Sequence, residues 1–542
     1  MAQIHPMSPS EQFSRHSVVP PPRVFTESGW IEGYKVGKVN CFLGIPYARP
    51  PVKDFRWRKP SPMYEWREIL HCKDFRPRCP SLSAPFYETR ERYACEDCLY
   101  MNIWAAPGKG NPVIVFIHAG SFICGSGSDK ACDGGRMAYL GATVVTFNYR
   151  VGAFGFVAHP ELGANFGLLD QQAALAWVRR NIHRFGGDEN NVTLCGASSG
   201  AVSARWLMST PAASWNFDRV ILQSGGFDPT LSTYPCLSYD QATRLTGSLF
   251  DKLGTHDTEE LRLIPMKTVK EASSLLFSEH CRNSILQIPQ TFVWAPVIDG
   301  ATFFDISLEH CPLHVPLMLG CNTYDAQYSI MPGQGPPKDM LARWAERYCG
   351  ASSQRVIDCL EKYEGDDSDR AERFATALYF LEPCFATAFR YHDGGRRRVY
   401  LYQFNAGRSK FDGTRENAWH TVEIPFVFGN LPRFKDTYLF GDQDGRASEQ
   451  MLQAWMAFAR SGEPRCELVR RWAPFPNSTA LFGNRVDKAD LKVITELLNI
   501  MLKERGDQLF GRLEFSDLGM YEPSDDEHSS QDGEPDEMEG VE

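Results

Sequence analysis

Val192-Thr193-Leu194-Cys195-Gly196-Ala197-Ser198-Ser199-Gly200-Ala201-Val202 is the stretch that decides the fold. A β-prone run enters Gly-x-Ser-x-Gly and leaves it into residues 201–208, which suit a helix. A turn this tight between strand and helix tolerates only tiny residues beside the Ser, and it lifts the hydroxyl clear of the sheet. The helix that follows points its free N-terminal amides at developing negative charge. The five-residue pattern alone is weak, and the bland alternative is a Gly-rich turn with an idle Ser. The flanking strand and helix make the pattern specific.

Outward from this turn, short apolar runs alternate with helical patterns, the mark of a largely parallel sheet covered by helices. Residues 113–118 (VIVFIH) are nearly all apolar, as a strand covered on both faces requires. Residues 143–148 and 192–195 read as further strands, and between them 168–182 (LLDQQAALAWVRRNI) keeps helical spacing. Residues 220–223, 316–319 and 398–404 add strand patterns, and 449–461 form an amphipathic helix. The class is α/β.

A free Ser hydroxyl is a poor nucleophile, so the fold must supply a base and a group that orients it. In chains with this turn they follow in the order Ser, acid, His. Asp325 lies just beyond the run 316–319, where a strand's carboxyl end presents side chains to a site. His420 lies in 417–429 (NAWHTVEIPFVFG), which reads as loop-like without helical caps. By position alone both are candidates, since a His picked at random is more often a satisfied core or surface residue. The oxyanion of an acyl-transfer intermediate needs backbone donors. His118-Ala119-Gly120-Ser121-Phe122 follows the strand 113–117 and offers the amides of Gly120 and Ser121, to be joined by that of Ser199. The alternative there is an ordinary Gly turn.

Composition narrows the function classes. The formal charge is −10, but the 22 residues from Tyr521 to Glu542 hold ten acidic groups and no Lys or Arg, leaving a body of 57 acidic and 57 basic residues. A neutral body offers no basic stripe for phosphates, which argues against nucleic-acid binding. No run reaches the roughly 18 to 20 apolar residues of a membrane span. The expected organisation is a flexible segment over 1–22, one catalytic domain over 23–519, and an acidic disordered tail over 520–542. The first 22 residues lack an apolar block of signal-peptide length, which favours the cytoplasm. Sixteen Cys in 542 residues are too sparse for a disulfide scaffold, and none clusters at zinc spacing.

At this point the chain resembles the type B carboxylesterase and cholinesterase family. The resemblance rests on 42–51 (FLGIPYARPP), 96–104 (EDCLYMNIW), 148–156 (NYRVGAFGF), 165–181, 185–200, 221–225 (ILQSG) and 420–429. It implies an α/β-hydrolase fold: a central, mostly parallel mixed sheet with helices on both faces and helical insertions. It also implies a Ser198, Asp325, His420 triad and hydrolysis of small-molecule carboxylic esters without a cofactor. Departures from the family pattern are Asp325 where Glu is usual, Ala197 where Glu precedes the nucleophile, and Ala119 and Ser121 in place of Gly. If Ala119 and Ser121 need positive φ, they carry strain. The family's first disulfide maps to Cys79 and Cys98 and leaves secretion open; Cys384 matches another disulfide position and has no partner near the C-terminus. Two other readings stay open: a non-catalytic binding or adhesion protein on this fold, and an amidase, thioesterase or lipase-like enzyme using the same residues. The sequence leaves oligomeric state and physiological substrate undetermined.

Overall fold

A strand covered on both faces must be apolar on both, and β4 (Asn111–Ile117) shows how this chain meets that demand. Val113, Val115 and Ile117 point into one apolar layer, while Ile114 and Phe116 point into the other. Each fully buried side chain of this size contributes roughly 1.5 to 3 kcal/mol. The computed structural model describes residues 20–82, 94–211, 216–225, 237–284, 293–303, 315–326, 340–393, 398–409, 418–436, 438–484, 488–504 and 519–521.

The strands of the main sheet are β1 (Tyr34–Val36), β2 (Val39–Pro46), β3 (Tyr100–Ala105), β4, β5 (Thr143–Phe147), β6 (Gly187–Ala197), β7 (Arg219–Gln223), β8 (Leu317–Asn322), β9 (Val399–Asn405), β10 (Ser478–Gly483) and β11 (Gly519–Tyr521). Their spatial order is β11-β10-β9-β8-β7-β6-β4-β5-β3-β2-β1. Neighbours from β11 through β5 pair in parallel, and β3, β2 and β1 complete the sheet antiparallel. From β4 the chain turns to β5 on one side and later to β6 on the other. This reversal of strand order falls between β4 and β6, and open α/β sheets bind ligands outside the carboxyl ends of their strands at such a point.

One layer is built by α1 (Phe166–Asn181), α2 (Ser199–Met208), α3 (Asp367–Thr376) and α4 (Glu382–Asp393). The other is built largely by α5 (Asp442–Ser461), which presents Met451, Leu452, Trp455 and Phe458 to the sheet. Two of the sequence stretches behind the family resemblance meet in a buried ion pair. Arg150 donates to Asp170 of α1 through two guanidinium nitrogens at 2.7 Å each, and both side chains are almost inaccessible to water. A second buried pair, Arg56 with Glu96, anchors another of those stretches, and Arg56 also donates to the carbonyls of Leu261 and Ile264.

Several boundaries differ from the sequence reading. Residues 420–429 are not simply a loop, because Ile424–Val427 form one helical turn whose amides reach back to Thr421 and Glu423. The strand anticipated over 192–195 begins five residues earlier at Gly187, and α5 begins at Asp442 rather than 449. Met520 and Tyr521 extend β11 instead of opening the tail, and Pro22 accepts a hydrogen bond from the Gly33 amide. The rest of the anticipated N-terminal segment and acidic tail, residues 1–19 and 522–542, lies outside the described residues. Among the described residues no helix is long and apolar enough to cross a membrane.

Candidate active site

Ser198 sits between β6 and α2 with φ 54° and ψ −124°, a conformation that L-residues adopt only under strain. The turn is closed by backbone contacts: the Ser198 amide donates to the Gln223 carbonyl at 2.8 Å, and the Val202 amide to the Ser198 carbonyl at 3.0 Å. The flanking glycines are a packing necessity. A Cβ at Gly196 would meet the Gly200 carbonyl oxygen at 2.2 Å, and one at Gly200 would meet the Ile117 oxygen at 2.1 Å. That second approach also brings the start of α2 against the end of β4.

Three residues far apart in sequence converge here. His420 Nε2 accepts from the Ser198 hydroxyl at 2.7 Å, and Nδ1–H donates to Asp325 Oδ1 at 2.6 Å. The other Asp325 oxygen accepts from the Asn322 amide at 2.8 Å. All three side chains are buried. The acid follows β8 directly, and its loop is tied on the sheet side by the Thr323 amide to the Phe404 carbonyl and the Tyr324 amide to the Ala418 carbonyl.

The loop after β4 folds back on itself: the Gly120 carbonyl accepts from the amides of Ile123 and Cys124 at 2.9 and 3.0 Å. Gly120 has φ 139°, and a Cβ there would lie 2.1 Å from the Cys124 oxygen, so only Gly fits. Ser121 takes φ 52° and Phe122 φ 61°, so the Ser in place of Gly does sit in a left-handed conformation. Ala119 does not. Among the described residues the amides of Gly120, Ser121 and Ser199 donate to no backbone partner. His118 braces this loop. Its Nδ1–H donates to the Ala119 carbonyl at 2.8 Å, and its ring stacks on Tyr149 at 4.4 Å. Burial pushes the imidazole down to about 4, so it is neutral near pH 7 and contributes no charge.

Sequence reasoning missed a buried polar layer behind Ser198, His420 and Asp325. Glu423 is fully buried one turn after His420; it accepts from Asn322 Nδ2 at 2.7 Å and from Gln223 Nε2 at 3.2 Å. Gln223 in turn accepts from the Trp455 indole. Burial first, then the charge of Asp325, push the Glu423 carboxyl up to about 7. Its signal in the sequence was a charged residue inside the apolar stretch TVEIPFVF. Ala197 is packed in the apolar layer beneath α5. Cys79 and Cys98 are buried with their thiols in contact and are free in this structure, and burial holds the Cys98 thiol well above its ordinary range.

A largely parallel sheet, covered on both faces and carrying a strained Ser at the carboxyl end of a central strand, defines an α/β-hydrolase. The model of the carboxylesterase family matches residues 20–493. The chain belongs to the carboxylesterase family and, with its α/β-hydrolase fold, is a carboxylic ester hydrolase. Among its relatives, para-nitrobenzyl esterase of Bacillus subtilis (strain 168) is 31% identical over 479 residues, spanning 84% of this chain and 93% of the relative. Acetylcholinesterase of Bungarus fasciatus is 31% identical over 495 residues, 82% of this chain and 78% of the relative. A solved structure of a PNB esterase superposes with a TM-score of 0.76 at 28% identity, covering 88% of this chain and 99% of the other.

Proposed function

We propose that this hydrolase cleaves uncharged small-molecule esters through an acyl-enzyme intermediate on Ser198. His420 Nε2 takes the hydroxyl proton as Ser198 Oγ bonds to the ester carbonyl carbon, and Asp325 holds and stabilises the imidazolium. The amides of Gly120, Ser121 and Ser199 receive the oxyanion, each donor worth on the order of 3 to 4 kcal/mol in the transition state. As the tetrahedral species collapses, the alcohol leaves with the proton from His420. Water then gives its proton to His420 as its oxygen bonds to the acyl carbon, and His420 passes that proton to Ser198 Oγ as the second tetrahedral species collapses, freeing the acid and the Ser hydroxyl.

The observation that carries this reading is the unbroken relay Ser198 to His420 to Asp325, at 2.7 and 2.6 Å. Para-nitrobenzyl esters are the natural first probes, given the relative of that name. Turnover of such an ester and stoichiometric labelling by a fluorophosphonate are expected, with both lost in Ser198→Ala. Equal, poor labelling of wild type and variant would sink the mechanism.

A further inference from the structure

The sheet holds the acid loop from one side, and a helix holds it from the other. Arg373 of α3 is buried, and its guanidinium donates to the Thr323 carbonyl at 3.1 Å and to the Tyr324 hydroxyl at 2.6 Å. It also donates to the Tyr363 hydroxyl at 2.8 Å and lies 4.0 Å from the centre of the Tyr324 ring. Thr323 and Tyr324 are the two residues immediately before Asp325. One turn further along α3, Thr376 Oγ1 accepts from the amide of Ala326, the residue immediately after Asp325, at 3.1 Å. Beyond α3 the helix widens into a π-helical segment, Ala377–Leu381, and there Phe380 packs its ring 5.1 Å from the His420 imidazole. Positions 373, 376 and 380 share one helix face, three and four residues apart. The wide turn inserts an extra residue, a feature frequent beside functional sites.

From this bracketing of Asp325 we infer that Arg373 is a positioning residue for the triad acid, acting through Thr323 and Tyr324 on the carboxylate that orients His420. The inference rests on the triad reading above. An Asp carries its carboxylate on one methylene fewer than a Glu, so the backbone itself must sit closer to the imidazole. A planar fork that binds a carbonyl and a phenol together fixes that backbone as a flexible ammonium cannot. Catalysis of this kind is sensitive to displacement: about 1 Å of misplacement costs on the order of 100-fold.

The test uses the full-length chain and a para-nitrophenyl ester, with kcat and KM measured for Arg373→Met, Arg373→Lys, Tyr324→Phe, Asp325→Asn and the double variant Arg373→Met with Asp325→Asn. Arg373→Met is expected to lower kcat by roughly 10- to 100-fold with KM within about twofold. Arg373→Lys should recover part of that loss. In the Asp325→Asn background the same Arg373→Met change should alter kcat by less than about twofold, because there is no longer an acid to position. A loss of the same size in both backgrounds overturns the inference, since it marks a purely structural role, and so does wild-type kcat in Arg373→Met. Should Arg373→Met fail to fold, Tyr324→Phe and Arg373→Lys decide: wild-type kcat in both overturns it. Wild-type kcat in Asp325→Asn sinks the triad reading as well, whereas a large loss there with none at Arg373 sinks only the positioning role.

Discussion

Ser198 is held at φ 54° although it carries a side chain. Such strain costs on the order of 1 to 3 kcal/mol and persists only where the surroundings enforce it. Ser198→Gly is therefore expected to raise the unfolding midpoint above that of wild type while abolishing turnover, measured by thermal denaturation beside an ester assay. A lower midpoint than wild type would show that the turn is not strained. Ser121 makes a parallel case, and Ser121→Gly should keep its kcat within a few-fold, because the donor proposed for the oxyanion is the backbone amide, which Gly retains. The placement of these residues in the fold was readable in sequence because their turns demand fixed neighbours: tiny residues beside Ser198, and a Gly after a buried strand. Glu423 and Gln223 were not, since their roles come from meeting each other across 200 residues.

At the scale of elements, the segment that carries His420 also carries a titrating carboxyl. The Glu423 pKa is raised from an ordinary 4.5 to about 7 by burial and by Asp325. A raised carboxyl contributes stability that is fully present below the unfolded value and is lost as pH rises through the folded one, at roughly 1.4 kcal/mol per pKa unit. Glu423→Gln should thus gain stability relative to wild type between pH 5 and about 8, followed as the difference in unfolding midpoint at each pH. A pH-independent difference would contradict the raised value. Element boundaries were legible wherever burial was one-sided or complete. Of the first residues of β6, Gly-Asp-Glu-Asn-Asn, Gly187 pairs with Asn111 before the register shifts, and the run is largely polar and half-exposed, so no apolar pattern announced it. The opening turns of α5 are similar, with Asp442, Gln443, Gly445 and Arg446 facing water. The helical turn after His420 was hidden by its length and its Pro425.

For the whole molecule, the resemblance gave the architecture, and packing explains why those stretches are as they are. The pair Arg150 and Asp170 locks the loop after β5 to α1 with both charges out of water. Removing one partner strands the other, at a cost of about 3 to 5 kcal/mol. Asp170→Ala is expected to lower the denaturant midpoint accordingly, and far more than loss of an exposed pair such as Lys362 with Glu496, for which little change is expected. Similar midpoints for the two variants would rule out a structural role for the buried pair. The sheet order itself was not derivable from periodicity, because strand patterns report burial and say nothing of which strands are neighbours.

The relay joins residues 198 and 420, separated by 222 positions, with the acid between them in sequence. During synthesis on the ribosome, Ser198 emerges long before His420. Chains released before residue 420 are expected to carry the serine without any power to turn over ester, so prematurely terminated products should be chemically silent toward the esters around them.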